Sequence, residues 1–141
     1  LGVDVTPTDT TVFQDMSALA LREFGLDDLA VGNWLDVRGY EEPAGSGKVL
    51  LTHVVRIDPA KSVRVRGPFR DPAPPSFDIL SVLVTVDPYT CFIVEGSTCR
   101  DGMTAAEFFA QAVGQQVEAW GTWNAPVLDP EKVEIKVSDD D

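Results

Sequence analysis

The sequence is poor in the residues that most protein chemistry needs. Its 141 residues include one histidine, His53, and two cysteines, Cys91 and Cys99. Two thiolates cannot make a four-ligand zinc site, and His53 lies far from both, so no metal and no cofactor is expected. A nucleophile needs a base within reach, and neither cysteine has one nearby in sequence. Lysine and arginine are also scarce: 11 stand against 23 Asp and Glu, for a formal net charge of −12. Nucleic-acid binding neutralises phosphates with basic side chains, so this balance argues against it, and against anionic membrane surfaces. Divided at Ser62, both parts carry an acid excess, so the charge is not that of a tail and serves solubility. No apolar run approaches the roughly 18–20 residues of a membrane span. The chain opens at Leu1 with neither an initiator Met nor a basic-then-apolar leader, and reads as an excised or processed fragment of a longer protein.

What the sequence does have is a globular composition, 44% hydrophobic and 24% charged, and an internal repeat. Leu1-Gly-Val3-Asp-Val5-Thr6 and Leu80-Ser-Val82-Leu-Val84-Thr85 share the pattern L-x-V-x-V-T. Each reaches Thr-x-Phe at the same distance, as Thr11-Val-Phe13 and Thr90-Cys-Phe92, an offset of 79 residues. Val31-Gly32-Asn-Trp-Leu35-Asp-Val37-Arg-Gly39-Tyr40 then matches Val113-Gly114-Gln-Gln-Val117-Glu-Ala119-Trp-Gly121-Thr122 at an offset of 82. Both copies end in a β-branched run, Thr52–Ile57 and Val133–Val137.

Within the second copy, Val82, Val84 and Val86 alternate at period two and predict a strand over Leu80–Val86. Thr104-Ala-Ala-Glu107 is a capping box ahead of Phe108, Phe109, Ala112 and Val113, which predicts a short helix ended by Gly114. The first-copy counterpart is a helix over Ser17–Phe24, stopped by Gly25, with a further turn begun at Asp27 or Asp28. The next strand should point Leu35 and Val37 one way and Trp34, Asp36 and Arg38 the other. Pro43–Gly47 and Asn124–Pro126 are turns into a closing strand.

Only the second copy has leading strands, Val63–Gly67 with outward arginines and Phe77–Ile79. Strands, a helix, then two strands is the order of an OB-like barrel. The expected fold is therefore mainly β: two tandem OB-like barrel units, each with a short helix between its third and fourth strands, the first truncated at its N-terminus. The boundaries are 1–58 for unit one, 59–62 for a linker, 63–137 for unit two and 138–141 for an acidic tail. Unit one is either cut short or completed by something else.

The pattern V-G-x-x-hydrophobic-D/E-V-x-G-Y, after T-x-F and before V-x-R/I, resembles an uncharacterised bacterial family, domain-of-unknown-function family 5666. The resemblance covers roughly Leu1–Ile57 and Val63–Val137. It implies an OB-like fold, tandem copies and an exported, extracytoplasmic bacterial protein, and it implies no activity. The short first copy and the two cysteines depart from the family pattern. Seven residues lie between Cys91 and Cys99. Either they pair across a hairpin or tight loop in an oxidising compartment, or they are unrelated thiols, one of them buried.

Other groups carry weaker signals. His53 reads as structural or exposed. Glu41-Glu42 and Asp27-Asp28 sit in polar turns and caps rather than as a catalytic carboxylate pair. Gly45-Ser-Gly47-Lys48 lacks the full phosphate-loop pattern and reads as a hairpin turn. Ser138–Asp141 holds a cation loosely or is a solvated tail. Arg56, Lys61, Arg64, Arg66 and Arg70 form a basic stretch that pairs with the protein's own carboxylates rather than with phosphate. Trp34, Tyr40, Trp120 and Trp123 are the ligand-binding candidates, since exposed aromatics on a strand face suit sugar rings or unpaired bases. Against this, Trp34 and Trp120 also suit packing between units or against a neighbouring domain. The sequence thus predicts a non-catalytic binding or structural module of an exported bacterial protein, with a protein or glycan of the cell envelope, or neighbouring domains of a longer chain, as partner. The alternatives are an accessory domain of a larger extracytoplasmic enzyme and, opposed by charge, a single-stranded nucleic-acid binder.

Overall fold

The computed structural model describes residues 3–60 and 62–137. The expected acidic tail 138–141, Lys61 of the expected linker and basic stretch, and Leu1 and Gly2 of the first repeat motif lie outside the described residues. The chain is mainly β, with ten strands and one α-helix among the described residues. It divides into two compact units, Val3–Lys61 and a C-terminal one that starts at Ser62.

In the N-terminal unit, β1 (Asp4–Asp15), β2 (Trp34–Glu41) and β3 (Lys48–Ile57) form one sheet in the order β1-β3-β2. β1 runs parallel and β2 antiparallel to the central β3. β3 is rich in β-branched and apolar residues, which tolerate neighbours on both edges, and it buries Val49, Leu51 and Val54. Leu51 and Val54 lie three apart and are both buried, so the two-residue alternation slips between them. Both ladders shift register at this point, between Pro7 and Val12 on β1 and between Arg38 and Gly39 on β2. A bulge of this kind restarts the alternation in the opposite phase. Two residues fix it. The Thr11 hydroxyl donates to the Leu51 carbonyl at 2.7 Å. Gly39 passes so close to β3 that a Cβ there would lie 2.1 Å from the Leu50 carbonyl oxygen.

The C-terminal unit contains β4 (Val63–Pro68), β5 (Arg70–Ala73), β6 (Ser76–Ile79), β7 (Val82–Thr85), β8 (Cys91–Val94), α1 (Ala105–Gln111), β9 (Gln116–Asn124) and β10 (Val127–Lys136). Its strands run in the order β4-β9-β10-β7-β6-β5, with β8 also on β10. β10 is parallel to β7 and β8 and antiparallel to β9. The partners that β10 takes on β7 and β8 are those that β3 takes on β1, moved by 79 residues: Phe13–Val54 becomes Phe92–Val133, and Asp4–Lys48 becomes Leu83–Val127. The bulge recurs as well. The register shifts between Pro130 and Lys132, the Thr90 hydroxyl donates to the Pro130 carbonyl at 3.0 Å, and a Cβ on Gly121 would lie 2.0 Å from the Asp129 carbonyl oxygen.

The hydrophobic core of this unit contains an aromatic cluster among aliphatic residues. Phe69, Phe77, Phe92, Phe108 and Phe109 stack with ring centroids 4.9 to 5.9 Å apart. Each fully buried phenylalanine, such as Phe77 or Phe108, contributes roughly 2–3 kcal/mol through the area it removes from water. The Thr104–Glu107 capping box forms as expected and starts the helix that drives Phe108 inward. Gly114, at φ +79, follows the helix in the left-handed conformation that glycine tolerates best.

Three expectations need correction. Neither sheet closes into a barrel: the N-terminal sheet has three strands and two free ends, and the end strands β4 and β5 of the larger sheet do not pair with each other. No α-helix forms over Ser17–Phe24. The Asp15 carboxylate accepts from the amides of Ser17 and Leu21, and Asp58 accepts from that of Ala18. These bonds, with Ala20 at φ +46, hold the segment as turns ahead of a short 3-10 turn, Leu26–Asp28. The strand expected over Leu80–Val86 spans only Val82–Thr85, because Leu80 and Ser81 take positive φ to turn out of β6. The alternation along β2 is as expected: Leu35 and Val37 share a sheet face with Val54, where both are exposed, and Trp34 and Asp36 on the other face are half-buried.

Candidate functional site

The residues singled out for chemistry are mostly engaged in local structure. His53 is exposed at the β3 bulge, its Nδ1 3.1 Å from the Thr52 hydroxyl. In the turn Gly45–Lys48 the Glu41 carboxylate accepts from the amides of Gly45 and Gly47 at 3.0 and 2.7 Å. The chain's own carboxylate therefore occupies the position a phosphate would take. Asp28 accepts from the Gly25 amide at 2.8 Å and closes the 3-10 turn beside Asp27. Among the described residues no group of three His, Cys, Asp or Glu side chains is placed to hold a metal ion. Cys91 and Cys99 form a disulfide that ties β8 to the segment before α1.

The four candidate aromatics fall on two strands. Trp34 and Tyr40 lie on β2, the first half-buried and the second 52% exposed. Trp120 and Trp123 lie on β9 and are both half-buried. Arg64 of β4 and Lys132 of β10 are the cross-strand partners of Trp120. The Lys132 ammonium sits 4.2 Å from the centre of the indole ring, and that of Lys136 sits 5.7 Å away. A ring stacking on that side of Trp120 has to displace these cations. Lys136 also contacts Glu134 and lies 3.7 Å from Glu118 and 3.8 Å from Glu95. Burial disfavours the Lys136 ammonium, but these three carboxylates outweigh it and hold its pKa above the ordinary lysine value.

Arg56 pairs with one of the protein's own carboxylates, as expected, but the sequence did not single out its partner, Asp15. Arg56 Nε and Nη2 donate to the two Asp15 oxygens at 3.1 and 2.6 Å, with the guanidinium 4.7 Å from the centre of the Phe24 ring. The guanidinium contact holds the Asp15 carboxyl well below the ordinary carboxylate range, against the effect of burial and with help from Ser17 and the Leu21 amide. Arg56 is raised by the same hydrogen bond. The repeat carried the signal: Val94 and Ile135 hold the corresponding register in the C-terminal unit.

Two shallow hollows accompany these features. One, about 180 Å³, is lined by Ser17, Leu19, Trp34, Arg56, Ile57 and Asp58 among others. The other, about 170 Å³, is lined by Asp87, Tyr89, Thr122, Asp129, Pro130 and Glu131. In the second, Asp129 is pushed above the usual carboxylate value by desolvation first, then by Asp87, with which it shares a hydrogen bond, and by Glu131.

The N-terminal sheet also has a partly exposed apolar face. On the N-terminal sheet Val5, Leu35 and Val37 are exposed beside buried Val49, Leu51 and Val54. No helix among the described residues is long and apolar enough to cross a membrane. Comparison with curated proteins and with solved structures gave no match. Residues 1–48, which carry β1, β2 and the turn into β3, match the family model described as Domain of unknown function (DUF5666), the family that the motif pattern resembles.

Proposed function

We propose that the chain is a non-catalytic binding module of an exported bacterial protein, built from two OB-like units in tandem, that recognises an extended protein or glycan of the cell envelope. The tandem reading is supported by the shared registers and by the two bulges with their Thr and Gly residues. The OB-like reading is supported by the strand order. β4 and β5, the two ends of the larger sheet, are separated in the chain by Phe69 alone, so together they act as one bent first strand. Export is supported by the Cys91–Cys99 disulfide, since such bonds persist in oxidising compartments. The observation that carries the binding reading is the exposed apolar face of the three-stranded sheet, with Tyr40 on the same sheet.

Co-sedimentation with a purified bacterial cell-envelope fraction tests this reading. The unmodified chain is expected to pellet. A Leu35→Asp, Val37→Asp variant that keeps the parent far-ultraviolet spectrum and its disulfide is expected to stay in solution. Equal pelleting of the two, or none by either, overturns the reading.

A further inference from the structure

We infer that the N-terminal sheet recognises its partner by strand addition: an extended two-strand polypeptide segment with the chemistry of Val63–Ile79 pairs along the outer edges of β1 and β2 and covers the apolar face. The inference rests on the binding-module reading and names its partner class.

The C-terminal unit shows what such an occupant does. β9 corresponds to β2, and its second edge is taken by β4, from Val63 opposite Gly121 to Pro68 opposite Gln116. β7 corresponds to the first part of β1, and its second edge is taken by β6, from Ser76 opposite Thr85 to Ile79 opposite Val82. In the three-stranded sheet β1 and β2 are the terminal strands, and among the described residues β3 is the only strand paired with either.

Burial at corresponding positions measures the difference. Val117 and Ala119 on β9 and Val84 on β7 are 0% exposed. Their counterparts Leu35, Val37 and Val5 are 38, 38 and 39% exposed. The same apolar pattern is present in both units, and only one of them is covered.

Charge and shape specify the occupant further. β4 alternates inward-facing Val65 and Gly67 with Arg64 and Arg66, and Arg66 stands opposite Glu118. The residue of β2 at the Glu118 register is Asp36, so the two strands carry the same charge at this position. β1 is also a long edge, 12 residues, with no lysine and one proline, Pro7. Pro7, the aspartates and the bulge guard part of this edge, and the rest of its length is a template for pairing with another strand.

The test is amide hydrogen exchange on the full chain, with a synthetic peptide of the sequence Val63–Ile79 as probe. Exchange of amides in β1 and β2 is expected to slow at least tenfold at saturating peptide. A peptide carrying Val63→Asp, Val65→Asp and Phe77→Asp, which leaves the protein itself unaltered, is expected to give no slowing. Strand addition is overturned if neither peptide slows exchange, or if both do so equally. It is also overturned if β1 and β2 are already protected without peptide in a chain that sediments as a dimer, which makes a second copy the occupant. If the peptide fails while envelope binding still depends on Leu35 and Val37, surface recognition stands and strand addition falls.

Discussion

Arg56 grips both carboxylate oxygens of Asp15 from the neighbouring strand, and the same carboxylate holds the amides of Ser17 and Leu21. One ion pair thus fixes β1 to β3 and shapes the loop that replaces a helix. Removing one partner leaves a buried charge unpaired, whereas replacing both with apolar residues often costs little. Arg56→Ile is therefore expected to be the most destabilising single change here. The double variant Asp15→Val, Arg56→Ile, which copies Val94 and Ile135 of the other unit, should recover part of the loss. Because the Asp15 carboxyl titrates below its ordinary value of 3.8, its stabilising effect is fully present above that value and is lost as pH falls through it toward the folded pKa. Thermal melts from pH 7 to pH 2 should show the gap between parent and Asp15→Asn closing on the acid side. A gap independent of pH would mean the pair is not ionised as the geometry requires.

Gly39 and Gly121 test whether the two bulges are one device used twice. At each, an added Cβ meets a backbone carbonyl at about 2 Å, and backbone cannot move aside as a flexible side chain can. Gly39→Ala and Gly121→Ala should each cost about 3 kcal/mol, at the upper end for overpacking. Gly25→Ala is the control, since nothing lies within 4 Å of a Cβ there and its φ of −146 suits any residue. Its effect should stay within about 0.5 kcal/mol in urea unfolding.

These glycines also show why part of the fold was legible in the sequence. The repeated V-G…G motif and the Thr-x-Phe motif mark the ends of the paired strands and the bulge, where a hydroxyl and a missing Cβ are irreplaceable. Such constraints leave residue-level traces. The capping box at Thr104 is local too, and it was readable. The helix expected over Ser17–Phe24 failed because the amides there are held by Asp15 and Asp58, and Asp58 is 40 residues away from the amide it accepts from. Alternation placed Leu35 and Val37 on the correct face. It could not say whether that face is covered, because cover depends on strands elsewhere in the sheet. The aromatics were legible as residues but not as sites: the cations over Trp120 come from β10, and alternation along β9 says nothing of them.

The disulfide closes a short loop, with a sequence separation of 8 residues between Cys91 and Cys99. On the chain-entropy account such a link stabilises by about 2.5 kcal/mol at room temperature. Cys91→Ser, Cys99→Ser should lose this amount in urea unfolding, and adding reductant to the parent should reproduce the loss. Thiol titration of the unreduced, denatured chain should find no reactive thiol. Two reactive thiols would count against the oxidising compartment proposed above.

Asp129 should respond to pH in the opposite sense to Asp15. Desolvation and the neighbouring Asp87 and Glu131 raise its pKa, so the folded state prefers the protonated acid. Above the folded pKa the carboxylate must ionise in a setting that resists it, and stability falls as pH rises through that range. Asp78 is raised in the same way, by desolvation and then by Asp71. Asp129→Asn and Asp78→Asn should each raise Tm at pH 7, where the parent carries the repulsion, and change it little at pH 3, where the acid is already neutral. The Asp15→Asn variant behaves in reverse, losing most at pH 7 and least in acid. Measured on one protein under one set of buffers, these opposite trends separate the specific groups from the general effect of a charge of −12. Net self-repulsion alone would make all three substitutions stabilising at neutral pH, so a fall in Tm for Asp15→Asn beside a rise for Asp129→Asn can come only from their local partners.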